Sequence, residues 1–450
     1  MTNDSSFNLM DKIISLCKRR GFIFPGSEIY GGLANSWDFG PLGVELKNNI
    51  KKLWWKNIVF QREEIVGLDS SILMNSKVWE ASGHLQNFYD PLVECKQCHN
   101  RFRLDSLPVS PADPEKKQDR LSCPLCGGEL TSEKKFNLMF KTFLGATEES
   151  ANAVFLRPET AQGIFINFKN ILTAMRGKLP LGIAQIGKVF RNEITPGNFI
   201  FRTREFEQME LEYFVNPQEA DSWFNYWQTE RLTWYDSLGL KRDHLREREH
   251  NLEELAHYAK KCVDIEYQFP FGWSELEGIA NRGDFDLKNH SQFSGQDLSY
   301  FDEKSGEKYF PYVIEPSVGV ERAFLAILLD AYAEEHDENG DLRVVLKLNS
   351  KLAPIKVAVF PLVRNNEKIV KKSREVFNLI KSSFTCDYDV TGSIGRRYRR
   401  QDEIGTPFCL TIDYQTLEDD SLTIRERDSM NQVRVKIPEI IGWLSQMFNS

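Results

Sequence analysis

The sequence predicts an α+β protein of two or three domains, and three observations carry that reading. The chain has 450 residues, more than one ordinary core accommodates. Gly182–Phe190 and Phe206–Phe214 run apolar or alternate as buried strands do, with a turn signal at Thr195-Pro196-Gly197-Asn198 between them. From Ile355 onward, strand-like and helix-like stretches alternate, which describes a small α/β domain. An apolar share of 41% and a charged share of 27% fit a soluble globular protein.

In chain order, residues 1–90 form the first block. Gly40-Pro41 opens an amphipathic stretch with Leu42, Leu46, Ile50, Leu53 and Trp54 on one face, and proline in the first turn suits a helix start. Residues 91–142 read as an insertion carrying two CxxC pairs and a polar stretch, Ser110–Asp119, expected to be mobile. Residues 143–348 hold the charged hairpin, interrupted by a helical region from Asn216 to about Lys261. Asn349–Pro354 reads as a linker, and residues 355–450 form the last domain.

Several classes are disfavoured. The longest apolar run, Ala323–Leu329, is far too short to span a bilayer. The start, MTNDSSFNLMDK, lacks the apolar core of a signal peptide, so a cytoplasmic location is expected. A net charge of −8 argues weakly against a nucleic-acid partner, although binding needs only a local basic face such as Arg396–Arg400.

The hairpin carries the chemistry. Lys188, Arg191, Arg202 and Arg204 lie among five carboxylates on strands that point into the protein. Buried guanidinium groups need anionic partners, and their forked donors match phosphate oxygens. The pattern reads as a triphosphate site on antiparallel strands, with a salt-bridged sheet face as the plain alternative.

The Phe190–Phe214 block, with its RNE and FRTREFEQME wording, resembles motif 2 of class II aminoacyl-tRNA synthetases in the form carried by glycyl-tRNA synthetases. WDFGPLGVELKNNIKKLWW is similar to motif 1, the helix at that family's dimer interface, and Glu315-Pro-Ser-Val-Gly-Val-Glu-Arg322 to motif 3. Val320, Phe324, Ile327 and Leu328 suggest an amphipathic helix after the glycine. The resemblance covers nearly the whole chain. It implies an antiparallel catalytic sheet flanked by helices, a zinc-knuckle-like insertion and a C-terminal anticodon-binding domain. It also implies a homodimer that uses ATP and Mg²⁺ to attach glycine to tRNA(Gly). Another class II synthetase, or a non-catalytic nucleic-acid-binding relative, are the alternatives.

The same resemblance implies the site. Arg191 and Arg322 are the expected catalytic residues. Asn192, Glu193, Phe201, Arg202, Thr203, Arg204, Glu205, Phe206, Glu275, Leu276, Gly319, Val320 and Glu321 join them as ATP contacts, with Phe206 stacking on adenine and Glu275 the choice for Mg²⁺. Glycine offers an ammonium and no side chain, so its site is expected among carboxylates. Arg103, Glu159, Phe206, Glu207, Gln208, Met209, Glu210, Glu315, Pro316, Ser317, Val318 and Gly319 are the expected contacts. Strand alternation turns Gln208 and Glu210 to the face of Phe206, and Glu207 away from it. The seven histidines sit nowhere near the motifs in sequence and receive no role.

Cys95, Cys98, Cys123 and Cys126 form two CxxC knuckles, a closed thiolate set suited to structural Zn²⁺. In the last domain, GSIGRRYRRQDEIGTPFCLTIDY resembles the anticodon-binding domain of several class II enzymes. Its arginines are equally suited to tRNA phosphates and to pairing with Asp402 and Glu403 on a solvated helix face.

Overall fold

The computed structural model describes residues 3–104, 107, 122–146, 153–194, 197–336 and 340–449. Thr195 and Pro196 of the expected turn, and the whole Ser110–Asp119 stretch, lie outside the described residues.

A seven-stranded sheet organises the larger part of the chain. Its strands are β1 (Ile65–Gly67), β2 (Leu181–Phe190), β3 (Glu205–Val215), β4 (Leu245–Glu249), β5 (Lys261–Phe269), β6 (Gly272–Gly283) and β7 (Tyr312–Gly319). The spatial order is β4-β5-β6-β7-β3-β2-β1, and every pairing is antiparallel except β1 with β2. The expected hairpin is β2 and β3, in unbroken register from Glu205 opposite Phe190 to Phe214 opposite Leu181. Asn198 and Phe199 close its loop in the left-handed region, at φ 55° and 59°.

Four helices brace this sheet. Helix α1 (Pro41–Trp55) starts with proline at its first position and buries Leu46, Ile50 and Trp54. Gly43 lets it approach the backbone closely, since a Cβ there would stand 1.9 Å from the carbonyl oxygen of Phe22. Helix α2 (Ala161–Ala174) lies over β2 and β3 beside Phe214. Helix α3 (Ala220–Leu238) ends at Gly239, which takes a left-handed φ of 89°. The expected helical region to Lys261 therefore stops at Leu238. Its remainder supplies β4, whose alternating LRERE pairs Arg246 with Glu266 on β5.

Helix α4 (Val320–Ala331) corrects the expected amphipathic pattern. All its residues except Arg322 and Asp330 are buried, because the sheet covers one side and α1 the other. Asn349–Pro354 is also packed rather than free: Leu352 and Ala353 are fully buried, and their carbonyls accept from Asn49 on α1.

The insertion forms a three-stranded sheet of Arg101–Arg103, Tyr89–Glu94 and Lys134–Asn137. The last domain has a five-stranded mixed sheet in the order Cys386–Tyr388, Val357–Pro361, Phe408–Ile412, Ser421–Glu426, Gln432–Lys436. Every expected strand and helix of that block is present.

Candidate active site

Alternation along β3 divides the charged strand into two faces. Phe206, Gln208, Glu210 and Glu212 share one, and Glu205, Glu207, Met209 and Leu211 the other. The neighbouring β7 is aligned so that Gln208 opposes Gly319 and Glu210 opposes Ser317. Both strands thus present their polar residues to the same space.

At the open end of that space lies a cleft of about 90 Å³, lined by Arg191, Glu193, Ile200, Phe201, Arg202, Thr203, Phe206, Gln208, Glu275, Ser317, Gly319, Glu321 and Arg322. Arg191 is held by the carbonyl of Pro158 at 3.0 Å and lies over the rings of Phe88 and Phe206. Arg322 pairs with Glu275 at 2.9 Å and lies 4.6 Å from the Phe201 ring centre. Arg322 does not pair with its helix neighbours Glu321 and Asp330: Glu321 is taken by Lys47, and Asp330 by His244 and Tyr267. Arg322 leads in holding the Glu275 carboxyl below its usual range. Three guanidinium groups around one cleft suit a polyphosphate.

Below the cleft the same face becomes a buried acid pocket. Arg282 on β6 donates to Asp286 at 2.8 and 3.0 Å and to Glu315, and stands 3.7 Å from Glu159. Its guanidinium lies 3.7 Å from the Tyr258 ring centre. Glu210 accepts from the Thr160 amide at 2.9 Å, from the Thr160 hydroxyl, and from Ser317 at 2.8 Å. Glu159 meets His84 at 3.3 Å and accepts from Gln162 at 2.9 Å. Gln208 leaves its buried Oε1 without a partner.

The protonation pattern follows from these contacts. Burial works against charge on Glu159, but His84 and Arg282 overcome it and hold its carboxyl below the usual range. Burial pushes Glu210 up, helped by the charge of Glu159. Burial likewise pushes Glu212 well up, and then the neighbouring Glu315. Burial also pushes the Glu315 carboxyl up to about 8, against the pull of Arg282.

The structure places several of the expected contact residues away from the cleft and the acid cluster. Glu207, Met209, Pro316 and Val318 face away from the pocket by strand alternation. Glu207 pairs with Lys47 and Lys51 on α1, while Met209 and Val318 enter the core. Leu276 and Val320 are likewise core residues, fixed by packing against α4 and the sheet. Asn192, Arg204 and Glu205 line a separate cavity of about 840 Å³ toward residues 33–51. Glu205 pairs there with Lys188, and Arg204 donates to the Ala34 carbonyl. Arg103 stays on the insertion, 3.4 Å from Asp90, and does not line the cleft. The size of the other cavity does not make it the reactive site, because its walls lack the convergent arginines.

Sequence reasoning missed Ile200, His84, Thr160, Gln162, Glu212, Arg282 and Asp286. His84 and His290, given no role, both back the acid pocket, His290 through Gln162 at 2.7 Å. No spacing in the sequence joins position 84 to 159; only the fold does.

Comparison with known proteins decides the family. Residues 141–332 match the tRNA synthetase class II core domain (G, H, P, S and T), and residues 356–447 the anticodon binding domain. The chain is 57% identical to a glycine–tRNA ligase of Clostridium acetobutylicum over 97% of this chain and 98% of that one. It is 55% identical to one of Caldanaerobacter subterraneus subsp. tengcongensis over the same shares. It is 54% identical to one of Geobacillus thermodenitrificans over 99% and 98%. The chain belongs to the glycine–tRNA ligase family. The class II core of that family here spans β2, β3 and β7, which build the cleft and the acid pocket.

Two further regions follow from the family reading. Cys95, Cys98, Cys123 and Cys126 bring their sulfurs within 4.8 Å of one another. Backbone N–H groups of Gln97 and Cys98 donate to the Cys95 sulfur, each at 3.4 Å. In the last domain, Asp402 and Glu403 do not pair with the arginines beside them. Asp402 takes Arg343 and Arg425, Glu403 takes Arg19 and Arg20, and Arg400 takes Asp389. Arg397 is buried and donates to the Pro361 carbonyl, which leaves Arg396 exposed on that helix.

Proposed function

We propose that this protein attaches glycine to tRNA(Gly) through glycyl-adenylate. One observation carries the reading: a buried cluster of carboxyl groups, Glu159, Glu210 and Glu315, lies beside a cleft lined by Arg191, Arg202 and Arg322. The glycine ammonium sits among Glu159, Glu210, Glu315 and Ser317, with Gln208 Oε1 as a further acceptor. The glycine carboxylate then faces the cleft and attacks the α-phosphate of ATP, releasing pyrophosphate. Arg191 neutralises the charge that builds on the oxygens of that phosphate. Arg202 and Arg322 hold the rest of the triphosphate, and Phe201 and Phe206 flank the adenine. The terminal hydroxyl of tRNA then takes the glycyl group, and AMP leaves. No protein nucleophile is needed, since positioning and charge neutralisation supply the catalysis.

Glu275 would hold Mg²⁺, because its exposed carboxylate shares the cleft with the phosphate-binding arginines. When bound, the ion neutralises phosphate charge. The four clustered cysteines would hold structural Zn²⁺, and the amide donors to Cys95 suit a thiolate there. Selectivity needs no editing site: excluding larger side chains suffices, because no amino acid is smaller than glycine.

We read residues 1–90 and 143–348 as the catalytic part, 91–142 as the insertion and 355–450 as the anticodon-binding domain, in a cytoplasmic homodimer. Ile29, Tyr30 and Leu33 are strongly exposed near α1, which supports a dimer surface there. No helix among the described residues is long and apolar enough to cross a membrane.

Amino-acid-dependent exchange of labelled pyrophosphate into ATP, run across all twenty amino acids, tests the reading. Exchange with glycine alone is expected. Exchange with serine or threonine but not glycine would overturn the specificity, and none at all would favour a non-catalytic relative.

A further inference from the structure

Resting on the placement of glycine above, we propose that Glu212 is a positioning residue beneath the substrate ammonium: it stays a neutral carboxylic acid and donates its proton to Glu315, fixing that carboxylate for glycine. Glu212 is completely buried, and neither of its oxygens has a donor within reach. Register explains why. With Glu210 opposite Ser317 and Tyr213 opposite Ile314, Glu212 on β3 stands directly across from Glu315 on β7. Opposed residues of such a pair have Cβ atoms about 4.5–5.5 Å apart, where two like charges destabilise the sheet.

Arg282, the cation whose charge reaches Glu212 and opposes the rise of its carboxyl, is already committed. Arg282 gives its guanidinium to Asp286, Glu315 and Glu159, and nothing to Glu212. The other groups near Glu212 are Glu315 and Glu210, both acidic. An ionised Glu212 would therefore be a buried charge with no partner, whereas a protonated one is a hydrogen-bond donor facing an acceptor. Burial and the charge of Glu315 both push its carboxyl well above the usual range. Arg282 holds Oε2 of Glu315, so a second donor from Glu212 completes the restraint on that carboxylate.

The test compares two substitutions in the full-length protein. Glu212→Gln keeps a neutral donor of the same shape, and Glu212→Met keeps the volume without a donor. Glycine and ATP KM are read separately by pyrophosphate exchange, with thermal unfolding as the check on folding. Glu212→Gln is expected to leave glycine KM unchanged. Glu212→Met is expected to raise it about tenfold, the effect of losing one hydrogen bond to a charged group, with ATP KM unaffected. Equal weakening by both variants would show that charge, not a donated proton, matters, and would overturn the proposal. So would a silent Glu212→Met. Glu315→Gln separates the two levels. If it leaves glycine KM unchanged, the glycine placement itself fails; if it raises glycine KM while both Glu212 variants are silent, only the role of Glu212 fails. Should Glu212→Met not fold, infrared difference spectra decide: wild type must show a protonated carboxylic acid stretch that Glu212→Gln removes, and its absence sinks the proposal.

Discussion

Two side chains on the pocket face act through different physics. In the proposed reaction, Arg191 meets charge that exists only as the phosphoryl group reacts. Arg191→Ala should therefore raise the adenylation barrier by about 2.7–4 kcal/mol, the range for loss of one preorganised donor. Pyrophosphate-exchange kinetics check this, and an unchanged rate removes Arg191 from the mechanism. Glu159, proposed above to meet the glycine ammonium, also bears on stability. Its folded carboxyl ionises more readily than in the unfolded chain, because His84 and Arg282 outweigh the burial that opposes charge. A depressed pKa stabilises the fold above the unfolded value of about 4.3, and that stabilisation is lost as pH falls below it. The stability gap between wild type and Glu159→Gln should thus be widest near neutrality and narrow below about pH 4.3, as denaturant titration at several pH values would read. A gap that widens in acid contradicts the assignment.

Among the elements, helix α3 and strand β6 are tied by one ion pair in the core. Arg231 donates to Glu277 at 2.6 Å, and both residues are fully buried. The remaining nitrogens of Arg231 and the second oxygen of Glu277 have no partners. Arg231→Met alone strands a buried carboxylate and should cost about 3–5 kcal/mol. Arg231→Met with Glu277→Leu should recover most of that loss, since apolar packing replaces an imperfectly satisfied pair. Chemical denaturation of the single and double variants compares the two, and a double variant as unstable as the single would refute the account. The proposed zinc site of the insertion has its own test. Elemental analysis of chelator-free protein should find about one zinc per chain, as four thiolates in this set require. Its absence would leave four reduced cysteines.

For the molecule as a whole, Asp402 is one of the residues that tie the last domain to the chain before it. It binds Arg425 of the last domain at 2.9 and 3.1 Å and Arg343, on the strand Leu342–Leu346 that precedes that domain, at 2.9 Å. Asp402→Ala should loosen that junction while leaving the distant acid pocket intact. Pyrophosphate exchange should persist and tRNA charging should fall, because only charging needs both parts in register. Equal loss of both activities would point instead to general unfolding. The primary structure alone determined the hairpin, the C-terminal alternation of strands and helices and the cysteine knuckles. These are local patterns: period-two burial, turn residues and fixed ligand spacing. The same logic already turned Glu207 away from Phe206. Tertiary packing decided what local pattern cannot express. Coverage on both sides buried all of α4 except Arg322 and Asp330, although its sequence suggests one apolar face. The sheet edge recruited Leu245–Glu249 as a strand where a helix was expected. Above all, strand register brought Glu212 opposite Glu315, and Arg282 and His84 into one pocket with Glu159. Charges distant in sequence become one electrostatic unit only when burial removes the water between them, and that depends on the whole fold.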